Sequence, residues 1–368
     1  MFNLETLGNH FKKMDWRLIG LAVSLTLFGL ISIFSASFFS ANFLNFKKQI
    51  LFLGLGLILM IVFSFLDWKA LKENPYLILG LYFLNLLALF LLFFLAPTTK
   101  GIKGWYKIGS FAVDPVESLK IILIILLAKY FSMRHVEMYR IAHILISGIY
   151  VLLAFLLIFF QPDLGSALIL LLLWLGILII SGIEIRHFLL LVLIAVIAFA
   201  FSWNQFLKEY QRERIISFLV PEIEPLGASW SQIQARIAVG SSRIFGKGFR
   251  KGSQVQFGFL TAPQTDFIFS AIAEEFGFLG VIFLLCLLSL FFLRVISIAF
   301  SSRTNFPRLF ATGFAILFAL QVFIHIGMNL GLLPIIGISL PFVSYGGSGL
   351  VMNYLALGIL QSFKVNRE

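Results

Sequence analysis

Ten apolar runs constrain this chain more than any other feature of its sequence. A helix that crosses a bilayer needs about 20 predominantly apolar residues. The run near 116–131 is shorter than this and requires tilt or a thin site. The sequence therefore predicts an all-α polytopic membrane protein with about ten transmembrane helices, and residues 1–368 form a single domain. The predicted spans are 16–36, 48–66, 75–96, 116–131, 141–160, 164–182, 187–203, 267–297, 309–331 and 346–363.

Composition agrees with this class. Hydrophobic residues make up 60% of the chain and charged residues 12%, whereas soluble domains contain about 25% charged residues. Cys286 is the single cysteine, so no intrachain disulfide can form. The net charge of +11 comes from basic residues scattered between apolar runs. This pattern indicates contact with anionic lipid headgroups rather than with nucleic acid.

The distribution of Lys and Arg predicts the orientation. The N-terminal segment, alternate short loops and the tail together hold 14 Lys and Arg residues. The short loops and helix ends of the opposite side hold 6, and the long connection, residues 204–266, holds the remaining 8. Because positive charge concentrates in short cytoplasmic loops, we expect both termini to be cytoplasmic. Residues 204–266 then form a large extracytoplasmic loop between spans 7 and 8. The first apolar run continues as a span, so we expect no cleaved signal peptide.

Asp266 ends this long loop immediately before the apolar run 267–297. Carboxylates at membrane depth are functional candidates, and Glu274 and Glu275 follow roughly 12 Å further along the helix at 1.5 Å per residue. The alternative is a structural role, because Asp and Thr oxygens commonly cap a helix start. Thr265 or Asp266 could fill that role, and the sequence leaves both interpretations open.

Two further carboxylates have structural and functional interpretations. Glu117 and Lys120 are three residues apart and share a helix face, so they are predicted to form an ion pair at the membrane boundary. The pair either stabilises the fold or contacts substrate. Asp163 lies in a tight turn between two spans, and its position predicts a cap for the helix that follows.

Polar and helix-breaking residues also mark the C-terminal third. The segment 331–348 is apolar but contains two prolines and several glycines. Broken backbone at membrane depth is tolerated only where protein or a water-filled cavity surrounds it, so this segment is expected to line a site. Gln321, His325 and Asn329 recur every four residues on one helix face, which favours hydrogen bonds between helices.

The long loop carries a basic cluster of Arg243, Lys247, Arg250 and Lys251. These groups are suited either to a pyrophosphate or to anionic lipid heads. Gly246-Lys247-Gly248 lacks the Ser or Thr, the glycine spacing and the strand of a phosphate loop, so no nucleotide site is predicted. Residues 229–245 are predicted to include a helix lying flat on the outer surface.

Five distinctive motifs lie along the chain. They are Gln161-Pro162-Asp163-Leu164-Gly165, Ile244-Phe245-Gly246-Lys247-Gly248, Thr265-Asp266-Phe267-Ile268-Phe269, Ala273-Glu274-Glu275 with Gly277, and Gly331-Leu332-Leu333-Pro334 through Ser348. Together these motifs resemble the SEDS family of shape, elongation, division and sporulation proteins. The resemblance implies ten spans and a peptidoglycan glycosyltransferase that polymerises lipid II at the outer face of the bacterial cytoplasmic membrane for cell elongation and rod shape. It also implies a class B penicillin-binding protein, the transpeptidase, as partner.

The resemblance assigns roles to residues of this chain. Asp266 takes the position of the family's essential aspartate, and Glu117 and Lys120 that of its paired Glu and Lys. The departing pyrophosphate needs cationic stabilisation, which either Arg and Lys or a divalent cation, Mg²⁺ or Mn²⁺, at Asp266 could supply. No nucleotide is expected. Where the family has Pro-Glu before Thr-Asp, this chain has Thr261-Ala262. The expected substrate-binding residues are Glu117, Lys120, Arg243, Lys247, Lys103, Lys48 and Ser344.

The residue types suit this chemistry. A positioned carboxylate can accept the proton of an attacking sugar hydroxyl, and cations stabilise a departing lipid pyrophosphate. Two other classes remain open. A lipid II flippase would use polar groups such as Glu117, Glu274 and His325 to line a route between leaflets, and an assembly scaffold would need no catalytic residue.

Overall fold

The computed structural model describes residues 4–67, 74–97, 103–133, 141–220, 227 and 229–366. Within these ranges the chain forms fourteen helices and one two-stranded sheet. The elements are α1 (Leu4–Lys13), α2 (Trp16–Ser40), α3 (Leu44–Ser64), α4 (Pro75–Leu95), β1 (Tyr106–Ile108), β2 (Phe111–Val113), α5 (Pro115–Ser132), α6 (Ile141–Phe160), α7 (Leu164–Ile180), α8 (Ile185–Gln205), α9 (Glu209–Leu219), α10 (Trp230–Gly240), α11 (Ser253–Gln256), α12 (Ile268–Ser301), α13 (Asn305–Leu330) and α14 (Gly347–Val365).

Each of the ten predicted spans coincides with a helix, α2 to α8 and α12 to α14. Seven of these helices are long and apolar enough to cross a membrane. The other three are α5, which carries Glu117 and Lys120, α7, which has 17 residues, and α14, which contains several polar side chains. The helical membrane-protein class is confirmed, and the number of spans stays a prediction.

The short helix α5 lies at the centre of the bundle. It packs against α4, α6, α7, α13 and α14, and Leu119, Leu123, Ile124 and Leu127 on it are completely buried. Because protein surrounds α5, its 18 residues need not match the thickness of the bilayer. In contrast, α8 is peripheral and exposes apolar side chains along its length, as expected for a helix that faces lipid.

The sequence did not predict the hairpin of β1 and β2. The two strands are antiparallel, with Tyr106 opposite Val113 and Ile108 opposite Phe111. Gly109 has φ 60° in the tight turn between them. Three-residue strands are too short to give a period-two pattern in the sequence. This hairpin is the one departure from an all-α fold among the described residues.

The helix α12 is interrupted at Gly277, where φ is 70° and ψ is −164°. The interruption replaces two intrahelical hydrogen bonds with bonds to the loop that follows α10. Phe278 N donates to Arg243 O and Leu279 N to Ile244 O, at 3.0 and 3.1 Å. The carbonyls of Glu274 and Glu275 accept from Lys247 N and Gly248 N, at 2.9 and 3.0 Å. The loop therefore pairs the backbone groups that the break leaves open. We call residues 243–248 the pairing loop.

Local predictions outside the site have clear outcomes. Asp163 caps α7, because its side chain accepts from Ser166 N at 3.1 Å, as predicted. The predicted helix within 229–245 is α10, which ends at Gly240, because the chain then turns into the pairing loop. Several basic residues of the charge count lie outside the described residues, namely Lys69, Lys72, Lys100, Arg134, Arg140 and Arg367, as do positions 221–226 and 228 of the long loop.

We expect Gly277→Ala to destabilise the protein by about 2–3 kcal/mol or more. A Cβ at this position would lie 2.1 Å from Gly246 N, and the backbone conformation is one that essentially only glycine adopts. The midpoint of thermal unfolding of the purified protein in detergent measures the effect. Gly54→Ala is the matched control, because no atom lies within 4 Å of a Cβ there. Equal midpoints for the two variants would contradict the close pairing of loop and helix.

Candidate functional site

Asp266 lies in the turn that precedes α12 and is partly buried. The helix begins at Ile268, and its N-cap residue is Phe267, which makes no side-chain capping bond. The interpretation of Asp266 or Thr265 as the helix cap is therefore wrong. The turn places Asp266 one residue too early for that role. A structural explanation that competed with a chemical role for this carboxylate is thereby removed.

Three hydrogen bonds fix the backbone around Asp266. Asn329 Nδ2 on α13 donates to Asp266 O at 2.9 Å. Ser344 Oγ donates to Thr265 O at 2.8 Å, and Tyr345 N donates to Gln264 O at 2.8 Å. The turn is thus held by α13 and by residues 331–348, which we call the broken segment. The backbone that carries the Asp266 carboxylate is therefore rigid.

Two of the three predicted polar residues on α13, His325 and Asn329, form hydrogen bonds to other elements, as expected. Asn329 Oδ1 accepts from the backbone N and Oγ of Ser270, at 3.1 and 2.7 Å. The His325 ring Nδ1 is 2.7 Å from Ile338 O, which ties α13 to the broken segment. Both residues are completely buried. His325 and Asn329 on this face therefore support the broken segment and the Asp266 turn.

Further amides hold the same turn, and the sequence analysis did not identify them. Asn45 Nδ2 donates to Gln264 Oε1 at 2.7 Å, and Gln264 Nε2 donates to Ser37 Oγ at 3.2 Å. Buried Gln49 on α3 donates to Ser344 O at 3.1 Å. A signal was present, because an amide within an apolar run needs a polar partner, but the partner's identity is not encoded locally.

The predicted Glu117–Lys120 pair is present at the start of α5, with 2.7 Å between Nζ and Oε1. The side chains are 19% and 4% exposed. Ser348 Oγ, at the start of α14, accepts from Asp114 N at 2.9 Å. The segment 344–348 therefore connects the Asp266 turn to this ion pair, and the two predicted groups belong to one structural unit.

Two more carboxyl groups add to the electrostatics of this region. Burial, followed by the negative charge of Glu117, raises the pKa of Asp114 to about 8. Burial also raises the pKa of Asp163, and hydrogen bonds from Ser166, followed by the positive charge of Lys120, partly offset this effect. A pKa above 7 keeps Asp114 mainly protonated at neutral pH. The region therefore carries less negative charge than its number of carboxyl groups suggests.

Glu274 forms a different buried contact, with the basic cluster. Lys247 Nζ lies 2.7 Å from Glu274 Oε1, and the Glu274 side chain is completely buried. The same carboxylate accepts from Ser253 Oγ at 3.2 Å, from Gln254 N at 2.9 Å and from Val255 N at 3.2 Å. These bonds use both of its oxygens, so Glu274 anchors α11 and the pairing loop to α12.

A basic cavity of about 620 Å³ opens beside this anchor. Arg243 and Lys251 at its edge are exposed. Arg250 turns away from it, since its guanidinium stacks 3.3 Å from the Phe38 ring centroid. The cavity can accept an anion at its two exposed cations. Its lining residues are Gly240, Ser241, Arg243, Gly246, Lys247 and Lys251.

The remaining predicted substrate-binding residues all make structural contacts. Lys48 donates to Ser110 O in the hairpin, and Lys103 Nζ donates to Phe93 O at 2.9 Å. The hydroxyl of Ser344 donates to Thr265 O at 2.8 Å and accepts from Leu340 N at 2.9 Å. These contacts position the hairpin and the Asp266 turn. Substrate contacts by Lys48, Lys103 and Ser344 stay predictions.

The fold and the site define a polytopic helical membrane protein with three polar features. They are the carboxylate of the Asp266 turn, the Glu117–Lys120 ion pair and the basic cavity beside the pairing loop. The family model for the cell cycle proteins FtsW, RodA and SpoVE matches residues 15–368. The chain belongs to this family, which is the SEDS family that the motifs predicted.

Similar proteins support this membership over nearly the full length. Stage V sporulation protein E of Bacillus subtilis is 35% identical over 94% of this chain and 95% of its own. Peptidoglycan glycosyltransferase MrdB of Escherichia coli K12 is 32% identical over 96% of this chain and 94% of its own length. Peptidoglycan glycosyltransferase RodA of Treponema pallidum is 29% identical over 96% of this chain and 98% of its own length. The names of the last two agree with the predicted enzyme class.

Solved structures share the fold. A chain from a peptidoglycan synthase complex that coordinates polymerization and crosslinking is 30% identical, with a TM-score of 0.81, covering 96% of this chain and 98% of that chain. The rod shape determining protein RodA of Thermus thermophilus is 28% identical, with a TM-score of 0.72, covering 96% and 98%. The helical architecture predicted from the sequence is thus confirmed.

We expect removal of one member of the Glu117–Lys120 pair to be worse than removal of both. Glu117→Gln or Lys120→Met alone leaves a charge without its partner, which costs about 3–5 kcal/mol at a buried site. The double variant removes that cost. Thermal unfolding of the three variants in detergent measures the coupling. If the double variant is no more stable than either single variant, the pair has a role other than mutual neutralisation.

Proposed function

We propose that this chain polymerises lipid II into glycan strands at the outer face of the cytoplasmic membrane, with Asp266 as the general base. The observation that carries this proposal is the Asp266 turn, which holds a carboxylate on a rigid backbone and does not use it as a helix cap. Membership of a family whose relatives include peptidoglycan glycosyltransferases supports the same activity.

The reaction forms one bond and breaks one bond at the same carbon. The acceptor hydroxyl oxygen attacks the anomeric carbon of the donor, while the bond from that carbon to the lipid pyrophosphate breaks. Asp266 accepts the hydroxyl proton, and the pyrophosphate leaves with the electron pair. Because the resemblance implies an α-linked donor and a β-linked product, a single displacement inverts the anomeric centre.

The preformed hydrogen bonds explain why one carboxylate suffices. Positioning a base against its substrate removes part of the entropic cost of the reaction. The bonds from Asn329, Ser344 and Tyr345 provide that positioning before substrate binds. Glu117 and Lys120, joined to the turn through residues 344–348, are the proposed contacts for the polar part of the substrate.

A divalent cation fits this site only as an ion shared with substrate. Among the described residues, no group of three or more His, Cys, Asp or Glu is arranged to hold a metal. Mg²⁺ commonly binds through one or two carboxylates together with substrate phosphates. Asp266 would supply the carboxylate, and the ion would stabilise negative charge on the departing pyrophosphate.

The partner we propose is a class B penicillin-binding protein, the transpeptidase. The support is the fold shared with a chain from a complex that coordinates polymerization and crosslinking. A partner that binds preferentially to the competent arrangement of the enzyme raises its activity by shifting the population toward that arrangement.

We also propose a role in elongation and rod shape, within a RodA-like branch of the family. The relatives with RodA and MrdB names support this role. Relatives named for sporulation and division have comparable sequence identity to this chain. The identity is 35% for Stage V sporulation protein E and 33% for a probable peptidoglycan glycosyltransferase FtsW of Geobacter. Loss of rod shape after depletion in a rod-shaped host would support elongation, whereas filaments with normal width would point to division.

We expect Asp266→Asn to abolish polymerisation of labelled lipid II and to leave the thermal unfolding midpoint unchanged. Asn keeps the size and polarity of the side chain but cannot accept the hydroxyl proton at neutral pH. A loss of about 100-fold or more is expected for removal of a general base. The measurement is the glycan product formed by the purified chain, with and without the transpeptidase.

Glu209→Gln is the matched control, because Glu209 is an exposed carboxylate on α9 in the same long loop. Its polymerisation rate should equal that of the unaltered chain. Long strands made by Asp266→Asn at a near-normal rate would contradict the role of Asp266. Equal rates with and without the transpeptidase would contradict the partnership.

We expect the long loop to face the outside of the cell, with both termini in the cytoplasm. In a Cys286→Ser background, Phe257→Cys should react with an impermeant maleimide in intact cells, since Phe257 is 68% exposed. Arg303→Cys, in the exposed connection between α12 and α13, should react only after the membrane is opened. The opposite pattern would place Asp266 on the wrong side for lipid II.

A further inference from the structure

The basic cavity contains two cations that the fold does not neutralise. Lys247 is already paired with Glu274 at 2.7 Å. Within the described part of the chain, no carboxylate forms an ion pair with Arg243 or Lys251. Two exposed cations beside a space lined by Gly240 and Gly246 suit an anion with several charges, such as a pyrophosphate.

Contacts between α2 and α12 indicate the depth of this cavity. Arg294 of α12 pairs with Asp15 at 2.7 Å, and Ser35 Oγ of α2 donates to Glu275 at 2.6 Å. The two contacts are separated by about 20 residues on each helix, or about 30 Å at 1.5 Å per residue. This distance equals the thickness of the hydrocarbon core. Glu275, and the pairing loop bonded to its carbonyl, therefore lie at the membrane boundary opposite Asp15.

Asp266 lies near the same boundary. Gln264 in its turn bonds to Ser37 at 3.2 Å, and Ser37 is only about 3 Å beyond Ser35 along α2. Along the chain, however, Asp266 and Glu274 are roughly 12 Å apart at the helical rise. The part of α12 before Gly277 must therefore run mainly along the boundary. The kink at Gly277 lets the rest of the helix turn into the membrane.

Apolar side chains flank the basic cavity. Ile244 and Phe245, next to Arg243 in the pairing loop, are 61% and 75% exposed. At the membrane boundary such side chains insert among acyl chains, while neighbouring cations meet phosphates. An anion bound here would therefore be attached to a lipid.

We propose that the basic cavity binds the pyrophosphate of the acceptor lipid II. This assignment rests on the proposed function of Asp266. The donor's departing pyrophosphate must lie at the reacting carbon, beside Asp266. The acceptor's own pyrophosphate lies at the other end of its disaccharide from the attacking hydroxyl. Glu274, which pairs with Lys247 of the cavity, lies roughly 12 Å from Asp266 at the helical rise. This spacing is comparable with the length of one disaccharide, so Arg243 and Lys251 are placed to hold the acceptor.

Two lipid II analogues separate the acceptor from the donor. A donor-only analogue has its terminal C4 hydroxyl blocked, and an acceptor-only analogue has a methylene in place of the anomeric oxygen, so its pyrophosphate cannot leave. Purified full-length chain couples them into one lipid-linked tetrasaccharide. The KM for each analogue is measured with the other saturating, for Arg243→Gln, Lys251→Gln and the double variant. Lys107→Gln is the control, because Lys107 is an exposed cation on β1 outside the cavity.

We expect each single variant to raise the KM for the acceptor about tenfold, the effect of losing one charge-assisted hydrogen bond. The double variant should raise it further. The KM for the donor, and kcat, should change less than about twofold, and Lys107→Gln should match the unaltered chain. An unchanged acceptor KM, or a donor KM that rises as much, would overturn the assignment.

Bulk anionic phospholipid is a second source of the same phosphate chemistry. The acceptor KM is therefore measured in neutral detergent alone and with added phosphatidylglycerol. A defect that persists in neutral detergent supports the acceptor site, whereas a defect seen only with phosphatidylglycerol overturns it. If the unaltered chain forms no tetrasaccharide even in the presence of the transpeptidase, the proposed function fails. If it couples normally and the variants do too, only the acceptor assignment fails.

Discussion

The structure depends on the rule that every backbone polar group at membrane depth must be paired. At Gly277 the helix α12 loses two internal hydrogen bonds, and the pairing loop supplies four bonds in their place. A buried backbone group without a partner costs about 1–3 kcal/mol, so the bonds from the pairing loop stabilise the break. The Lys247–Glu274 ion pair then secures the side chains of the same junction.

This junction determines where the chemical groups lie. Because α12 is kinked at Gly277, its first residues leave the axis of the rest of the helix and connect to the Asp266 turn, which Asn329 and Ser344 hold. Without the break, a straight helix of 34 residues would be about 51 Å long, well beyond the hydrocarbon core. One glycine therefore connects the membrane-spanning part of α12 to the placement of the proposed base.

The buried polar residues form a support around the Asp266 turn. Gln49, Asn329 and Ser344 each make at least two hydrogen bonds to backbone or side chains of the turn and its neighbours. A satisfied polar network inside a low-dielectric interior favours one arrangement, because any other leaves buried groups unpaired. The Glu117–Lys120 pair is tied to the same unit through Ser348, which explains how residues far apart in sequence can act on one substrate.

Local spacing along the chain was enough to predict several features. Apolar runs predicted the helices, a three-residue interval predicted the Glu117–Lys120 contact, and motifs predicted the family. The catalytic role of Asp266 stays a prediction. The tertiary structure alone decided which partners meet across the chain. Ser344 donates to Thr265 O, and Lys247 pairs with Glu274. The sequence predicted neither contact, and substrate binding by these two residues stays a prediction. The reason is physical: a helix period reports which face a residue occupies, whereas its partner depends on how helices and broken segments pack together.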